Sequence, residues 1–116
     1  NSIETLMAMA GPSMNQIEAH RHELEILGHE DLIQEAIMKM HEGDYTMAED
    51  MLSDAREALS IDDAHYQESL DDIVYLEALC QLGQGHRSKA KKLLTAIAES
   101  NSRHRENAAK LAAEIK

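Results

Sequence analysis

The sequence holds no Trp, no Phe and only three Tyr. It has one Val (Val74), one Pro (Pro12) and one Cys (Cys80). Strands favour aromatic and β-branched side chains, so this composition excludes an all-β fold and leaves a core of Leu, Ile, Ala and Met. A lone cysteine excludes an internal disulfide and any zinc site built from several cysteines. No run of about 18 apolar residues occurs, the length a helix needs to cross a membrane. The first residues lack a basic segment followed by an apolar one, so no signal peptide is expected. Lys and Arg are scarce, 11 against 22 Asp and Glu, for a net charge of −11. That balance disfavours nucleic acid, whose phosphates require clustered Lys and Arg. What remains is a chain of 116 residues. It is one domain by length and can bury roughly two thirds of its unfolded surface. The expectation is a single cytoplasmic all-α domain.

The few basic groups are unevenly placed. Residues 1–85 carry three (Arg21, Lys39, Arg56) against 19 acidic groups, a balance of −16. Residues 86–116 carry eight against three, a balance of +5. A solvated basic face and a patch that steers an acidic partner both fit this asymmetry.

Helical periodicity runs through most of the chain. Ile3, Leu6, Met7 and Ala10 predict a short helix over 2–10, broken at Gly11-Pro12. Ser13-x-x-Gln16 then resembles a capping box. It opens a second helix with Ile17, Leu24 and Leu27 on one face and Gly28 as its stop. Glu30-Asp31 places acids at the positive end of the next helix dipole. That helix carries Leu32, Ile33, Ala36, Ile37 and Met40 and ends at Gly43-Asp44. A fourth is expected over 45–59, with Met47/Ala48, Met51/Leu52, Ala55 and Ala58/Leu59 on its apolar face. After a turn at Ser60–Asp63, a long fifth helix spans about 63–82. Its second half is apolar nearly all round, so it is either central or covered by a partner. Gly83-Gln84-Gly85 ends it. A sixth helix follows over 87–100, and a seventh from 103 carries Ala108, Leu111, Ala112 and Ile115. Short connections make neighbouring helices antiparallel. The expected hairpins are about 2–28, 30–60 and 62–100, with a C-terminal helix over 103–116.

An internal repeat organises this pattern. Ala36, Gly43, Ala48, Met51, Leu52 and Ala55 align with Ala78, Gly85, Ala90, Leu93, Leu94 and Ile97 at a constant offset of 42. Small residues let paired helices approach, and the glycine reverses the chain within a few residues. One hairpin cannot bury its apolar face alone, so the units must stack. Gly43-Asp44-Tyr45-x-x-Ala48 resembles the turn of tetratricopeptide (TPR) repeats, and Gly85-His86-Arg87-x-x-Ala90 keeps its Gly and Ala. The offset exceeds the TPR period of 34 residues, which implies about two extra helical turns before Gly85. The resemblance covers 30–100 and implies a right-handed stack of about three hairpins plus a terminal helix.

The order of features is also similar to the TPR-like G subunit (YscG/PscG type) of type III secretion needle chaperones. It runs from an N-terminal apolar helix through Gly11, a His- and Glu-bearing helix and Gly28-His29-Glu30 to Gly43-Asp44-Tyr45. Leu79-Cys80 then leads into Leu82-Gly83-x-Gly85. This resemblance implies a non-catalytic cytoplasmic chaperone that works with a small helical co-chaperone. Its groove holds an amphipathic helix of a self-assembling needle subunit and so prevents premature polymerisation. In such stacks the first helix of each hairpin lines the concave surface. Helical spacing places Ile33, Ile37 and Met40, then Tyr75, Leu79 and Leu82, on that surface. Their apolar character suits an amphipathic helix, with Met40 and Met38 adapting to its shape. It excludes the Lys, Arg and Asn clamp used for acidic C-terminal tails. The competing reading makes the same residues core between hairpins.

Other chemistry is thinly supported. No two of the seven His are three or four residues apart, as helical metal ligands require. His20-x-x-Glu23, His22-x-x-Glu25 and Asp62-x-x-His65 have usable spacing, but acids and His are common here. Cys80 has apolar neighbours and reads as inert core. No phosphate-binding glycine loop or nucleophile elbow is present. Arg87, Lys89, Lys91 and Lys92 lack the interleaved aromatics of single-strand nucleic-acid sites. No cofactor or metal is expected. A general TPR scaffold in a larger assembly and, less favoured, a metal-dependent helical enzyme are the alternatives.

Overall fold

A computed structural model describes residues 1–24 and 31–116. Those residues form six helices: α1 (Ile3–Glu23), α2 (Leu32–His41), α3 (Tyr45–Ala58), α4 (Tyr66–Gly83), α5 (Arg87–Ala98) and α6 (Arg105–Glu114). The all-α class follows from the composition, as expected. Leu27, Gly28 and Glu30, assigned above to a helix stop and the next helix start, lie outside the described residues, as does His29.

Both repeat turns use one device. The peptide N–H of Asp44 donates to the carbonyl of Lys39 and that of Gly43 to Met40. One repeat later, His86 donates to Gln81 and Gly85 to Leu82. This is the Schellman closure, which needs a residue at positive φ. Gly43 (φ 80°) and Gly85 (φ 86°) supply it. Asp44 then caps α3, its Oδ1 accepting from the Met47 N–H at 3.1 Å. His86 stands at the same place before α5 without a capping bond. Its Nδ1 lies 2.9 Å from Gln81 Oε1 instead. The predicted excess length is present: α4 has 18 residues and α2 has 10, a difference of about two turns. Gly83 also permits a close approach, because a Cβ there would lie 2.7 Å from the Tyr45 ring.

The packing order is α2 on α3, α3 on α4, α4 on α5 and α5 on α6. Arg56 of α3 pairs with Glu77 of α4, and Glu49 with Gln84, so these helices run antiparallel. The long apolar half of α4 is central. Ile73, Tyr75, Leu76, Leu79, Cys80 and Leu82 are all buried by the chain itself.

The N-terminal region corrects the expected hairpin over 2–28. Gly11 and Pro12 do not break the chain. Ile3–Glu23 is one helix, with Pro12 inside it. An interior proline costs a helix about 3 kcal/mol. Here Pro12 faces solvent, while Leu6, Ala10, Ser13, Met14, Ile17 and Arg21 form one uninterrupted buried stripe. Burial of that stripe outweighs the lost backbone bond. The capping box at Ser13 is therefore also corrected. Ser13 is buried in mid-helix, its hydroxyl donating to the Ala10 carbonyl at 2.7 Å. The helix is capped instead by Ser2, which accepts from the Thr5 N–H at 3.1 Å.

Candidate functional site

Helix α1 lies across α2, α4 and α6. These are the first helices of the two hairpins and the closing helix. Ser13 Oγ meets Tyr75 Oη at 2.8 Å, and Arg21 Nη1 reaches Ser69 Oγ at 3.1 Å and Asp72 Oδ2 at 3.2 Å. Sequence numbers rise along α1 as they fall along α4, so the two are antiparallel. Asn1 Nδ2 donates to Glu114 Oε2 at 3.0 Å, which sets α1 antiparallel to α6 as well.

In this arrangement the six proposed groove residues lie within the chain. Ser69, Asp72, Tyr75, Leu79 and Leu82 recur at helical spacing on one stripe of α4. The first three bond directly to α1, so the part of the stripe from Ser69 to Tyr75 faces the chain's own N-terminal helix. Ile33, Ile37, Met40, Tyr75, Leu79 and Leu82 are each at most 3 % exposed. Their side chains are covered by the chain itself, Tyr75 directly by Ser13 of α1. Met38, the flexible candidate beside them, points outward and is 60 % exposed. Gly43, Asp44 and Gly85 form the turns, Tyr45 covers Gly83, and Ala48 and Ala90 are wholly buried.

A buried polar cluster joins these elements. Asp72 is wholly buried near the start of α4. Its Oδ1 accepts from His104 Nε2 at 2.7 Å and from Arg103, and its Oδ2 from Arg21. Burial acts to raise the Asp72 pKa, but the bonds from His104 and Arg103 and their charges outweigh it. The carboxyl is held below its ordinary 3.8. Arg21 also donates through Nε to Asp31 Oδ2 at 2.6 Å. Asp31 Oδ1 in turn caps α2 at Ile33. The His104 ring stacks on Tyr75, centroids 4.9 Å apart. One carboxylate thus fixes α1, α4 and the turn between α5 and α6. Sequence reasoning missed this cluster. The available signal was phase: Ser69 and Asp72 fall on the apolar stripe of α4, and Arg21 falls one turn beyond Ile17 on that of α1.

A cleft of about 750 Å³ opens beside this cluster. Leu24, Leu32, Ile33, Ala55, Leu59 and Ile73 give it an apolar lining, and Arg21, Asp31, Asp63, His65 and Ser69 add polar groups. Leu24 and Asp31 bracket residues 25–30. Of the six predicted groove residues, Ile33 lines this cleft.

The remaining candidates are surface ion pairs or inert. His20 Nε2 and His65 Nδ1 sit 3.2 and 3.1 Å from the two oxygens of Glu68. His20 is thus paired across the fold and His65 with the residue three positions on, rather than with Glu23 or Asp62. Glu25 lies outside the described residues. Among the described residues, no group of three His, Cys, Asp or Glu is arranged to hold a metal. No helix there is long and apolar enough to cross a membrane. Cys80 is buried, and burial, with Glu49 and Glu77 nearby, pushes its thiol up to about 12. Lys91 Nζ donates to the Ile115 carbonyl at 2.9 Å and holds α6 against α5. Comparison with family models, curated proteins and solved structures finds no match to the chain.

Proposed function

We propose that this protein is a non-catalytic binding module that holds an amphipathic helix of a partner protein. The observation that carries this reading is the cleft between the end of α1 and the α2–α4 region, apolar in its lining and charged around it. That combination suits an apolar helix face flanked by polar side chains. The matching Schellman turns at Gly43 and Gly85, with Ala48 and Ala90 buried at the same repeat positions, support a TPR-like stack. The needle-chaperone resemblance narrows the occupant to a helix of a self-assembling secreted subunit, held in the cytoplasm together with a small helical co-chaperone.

Mass spectrometry of what co-purifies with the native protein tests the reading. A needle-like subunit and a second short helical protein are expected. Ala58 lines the cleft but is itself exposed, so Ala58→Arg should obstruct docking without touching the core. The variant should lose the partner while its circular dichroism is unchanged. A partner retained at full stoichiometry by Ala58→Arg would place docking elsewhere.

A further inference from the structure

The residues around a second, smaller cavity fall in phase on two facing helices. On α1 they are Met9, Pro12, Ser13 and Gln16, at i, i+3, i+4 and i+7. On α6 they are Asn107, Lys110 and Leu111, at i, i+3 and i+4. Residues so spaced share one face of a helix. Ala10 and Ser13 on the buried side of α1 are small, whereas Leu6 and Ile17 beyond them are large. The helices leave a void of about 180 Å³ at that level, with Tyr75 of α4 in its wall.

The wall and the rim differ in chemistry. Ser13 Oγ donates to the Ala10 carbonyl, so Tyr75 Oη is the donor in its 2.8 Å contact with Ser13 Oγ. Burial raises the Tyr75 pKa above its ordinary 10.0, so this hydroxyl pair is polar but uncharged. At the rim, Gln16 and Asn107 bring amide N–H donors and Lys110 an ammonium. No Asp or Glu is among the described residues that line the cavity. In a chain of net charge −11, this one site has only a cation for a charged lining group. The nearest acids along α6, Glu106 and Glu114, lie one turn to either side of Lys110, and Glu114 is bonded to Asn1. The rest of the mouth is apolar. Met9 is 46 % exposed there, and its flexible thioether can settle over an occupant. Pro12, disfavoured inside a helix, stands at the same mouth, and local strain of this kind gathers at ligand sites. An apolar body with one anionic end matches these groups. A cavity of about 150 Å³ holds benzene, so this one has room for a single ring and a carboxylate.

We propose that the cavity between α1 and α6 is a binding site for a small carboxylic acid of single-ring size. The ring lies against Met9, Pro12 and Leu111, and the carboxylate accepts from Lys110 and from the Gln16 and Asn107 amides. The site shares no lining residue with the cleft beside Asp72, so it is independent of the function proposed for that cleft.

Benzoate is the probe, titrated into the ¹⁵N-labelled full chain at pH 7 and followed by amide chemical shifts. A Kd of about 1 mM is expected for a ligand of about nine non-hydrogen atoms, with shifts confined to residues 9–16, 75 and 107–111. Benzyl alcohol, the same ring without the charge, should bind about tenfold more weakly, the loss of one charge-assisted contact. Lys110→Gln should weaken benzoate about tenfold and erase its advantage over benzyl alcohol. Lys110 is exposed, so the variant keeps its fold, and shifts outside α6 should match the unaltered protein. Lys89→Gln, at an exposed position of α5, should bind benzoate as the unaltered protein does. Four results each overturn the proposal. Shifts fail to saturate by about 10 mM, tenfold above that Kd; they centre on Leu24, Ile33 and Ile73 at the cleft; benzyl alcohol binds as well as benzoate; or Lys110→Gln binds benzoate unchanged.

Discussion

Replacing Asp72 by Asn keeps the shape of the side chain and removes the charge to which Arg21, Arg103 and His104 all donate. Asp72 is wholly buried and the Arg21 side chain is 3 % exposed, so the guanidinium loses one of its two counter-ions, keeping only Asp31, where water cannot replace the lost one. Removing one member of a buried pair costs about 3–5 kcal/mol. The total stability of a domain is about 5–15 kcal/mol, so Asp72→Asn should consume about a fifth of it or more. Urea unfolding followed by circular dichroism at pH 7 measures the difference directly. The pH dependence supplies an independent check. The folded pKa of Asp72 lies below its ordinary 3.8, so its contribution is fully present above that value. It is lost as pH falls through the depressed folded value. The gap between the two proteins should therefore close progressively below pH 3.8, where the native carboxyl also becomes neutral. A cost under about 1 kcal/mol at pH 7, the range of an exposed pair, would refute the reasoning. So would a gap that persists unchanged at low pH. The double substitution Arg21→Met with Asp72→Leu should not recover the loss, because it leaves Arg103, His104 and Asp31 without the partner each holds in the cluster.

Pro12→Ala should stabilise the protein by up to about 3 kcal/mol, because it restores an interior backbone bond at an exposed position of a continuous helix. A destabilising result in urea unfolding would favour a break at Gly11-Pro12. Gly83→Ala sets a helix-propensity gain of about 1 kcal/mol against a Cβ 2.7 Å from the Tyr45 ring. Overpacking of about 1–3 kcal/mol should win, lowering the thermal midpoint, and Tyr45→Ala in the same chain should remove the penalty.

Much of the architecture was legible along the chain because its signals are local. The Gly43 and Gly85 turns, the long α4 and the apolar stripe of α3 are set by residues within one or two helical turns of each other. The N-terminal helix was not legible. Gly11-Pro12 is a strong local stop signal, and its defeat depends on a buried stripe that acquires its value only against α4 and α6. The surroundings of the candidate groove residues were not legible for the same reason. Apolar spacing identifies a face that must be covered, and Tyr75, Leu79 and Leu82 are covered as that rule demands. It does not say whether the cover comes from a partner or from residues 62 positions away, as Ser13 is from Tyr75.

The amino-acid order alone determined an all-helical chain, two hairpins closed by glycine in the left-handed region, and a long central helix too apolar to stand exposed. These follow from propensity and periodicity, which act over three to four residues. The tertiary structure decided the continuity of α1 through Pro12 and the convergence of Arg21, Arg103 and His104 on Asp72. It also assigned the covering of the α4 stripe to the chain's own first helix. Those outcomes depend on which distant faces meet, and burial energy is indifferent to sequence separation.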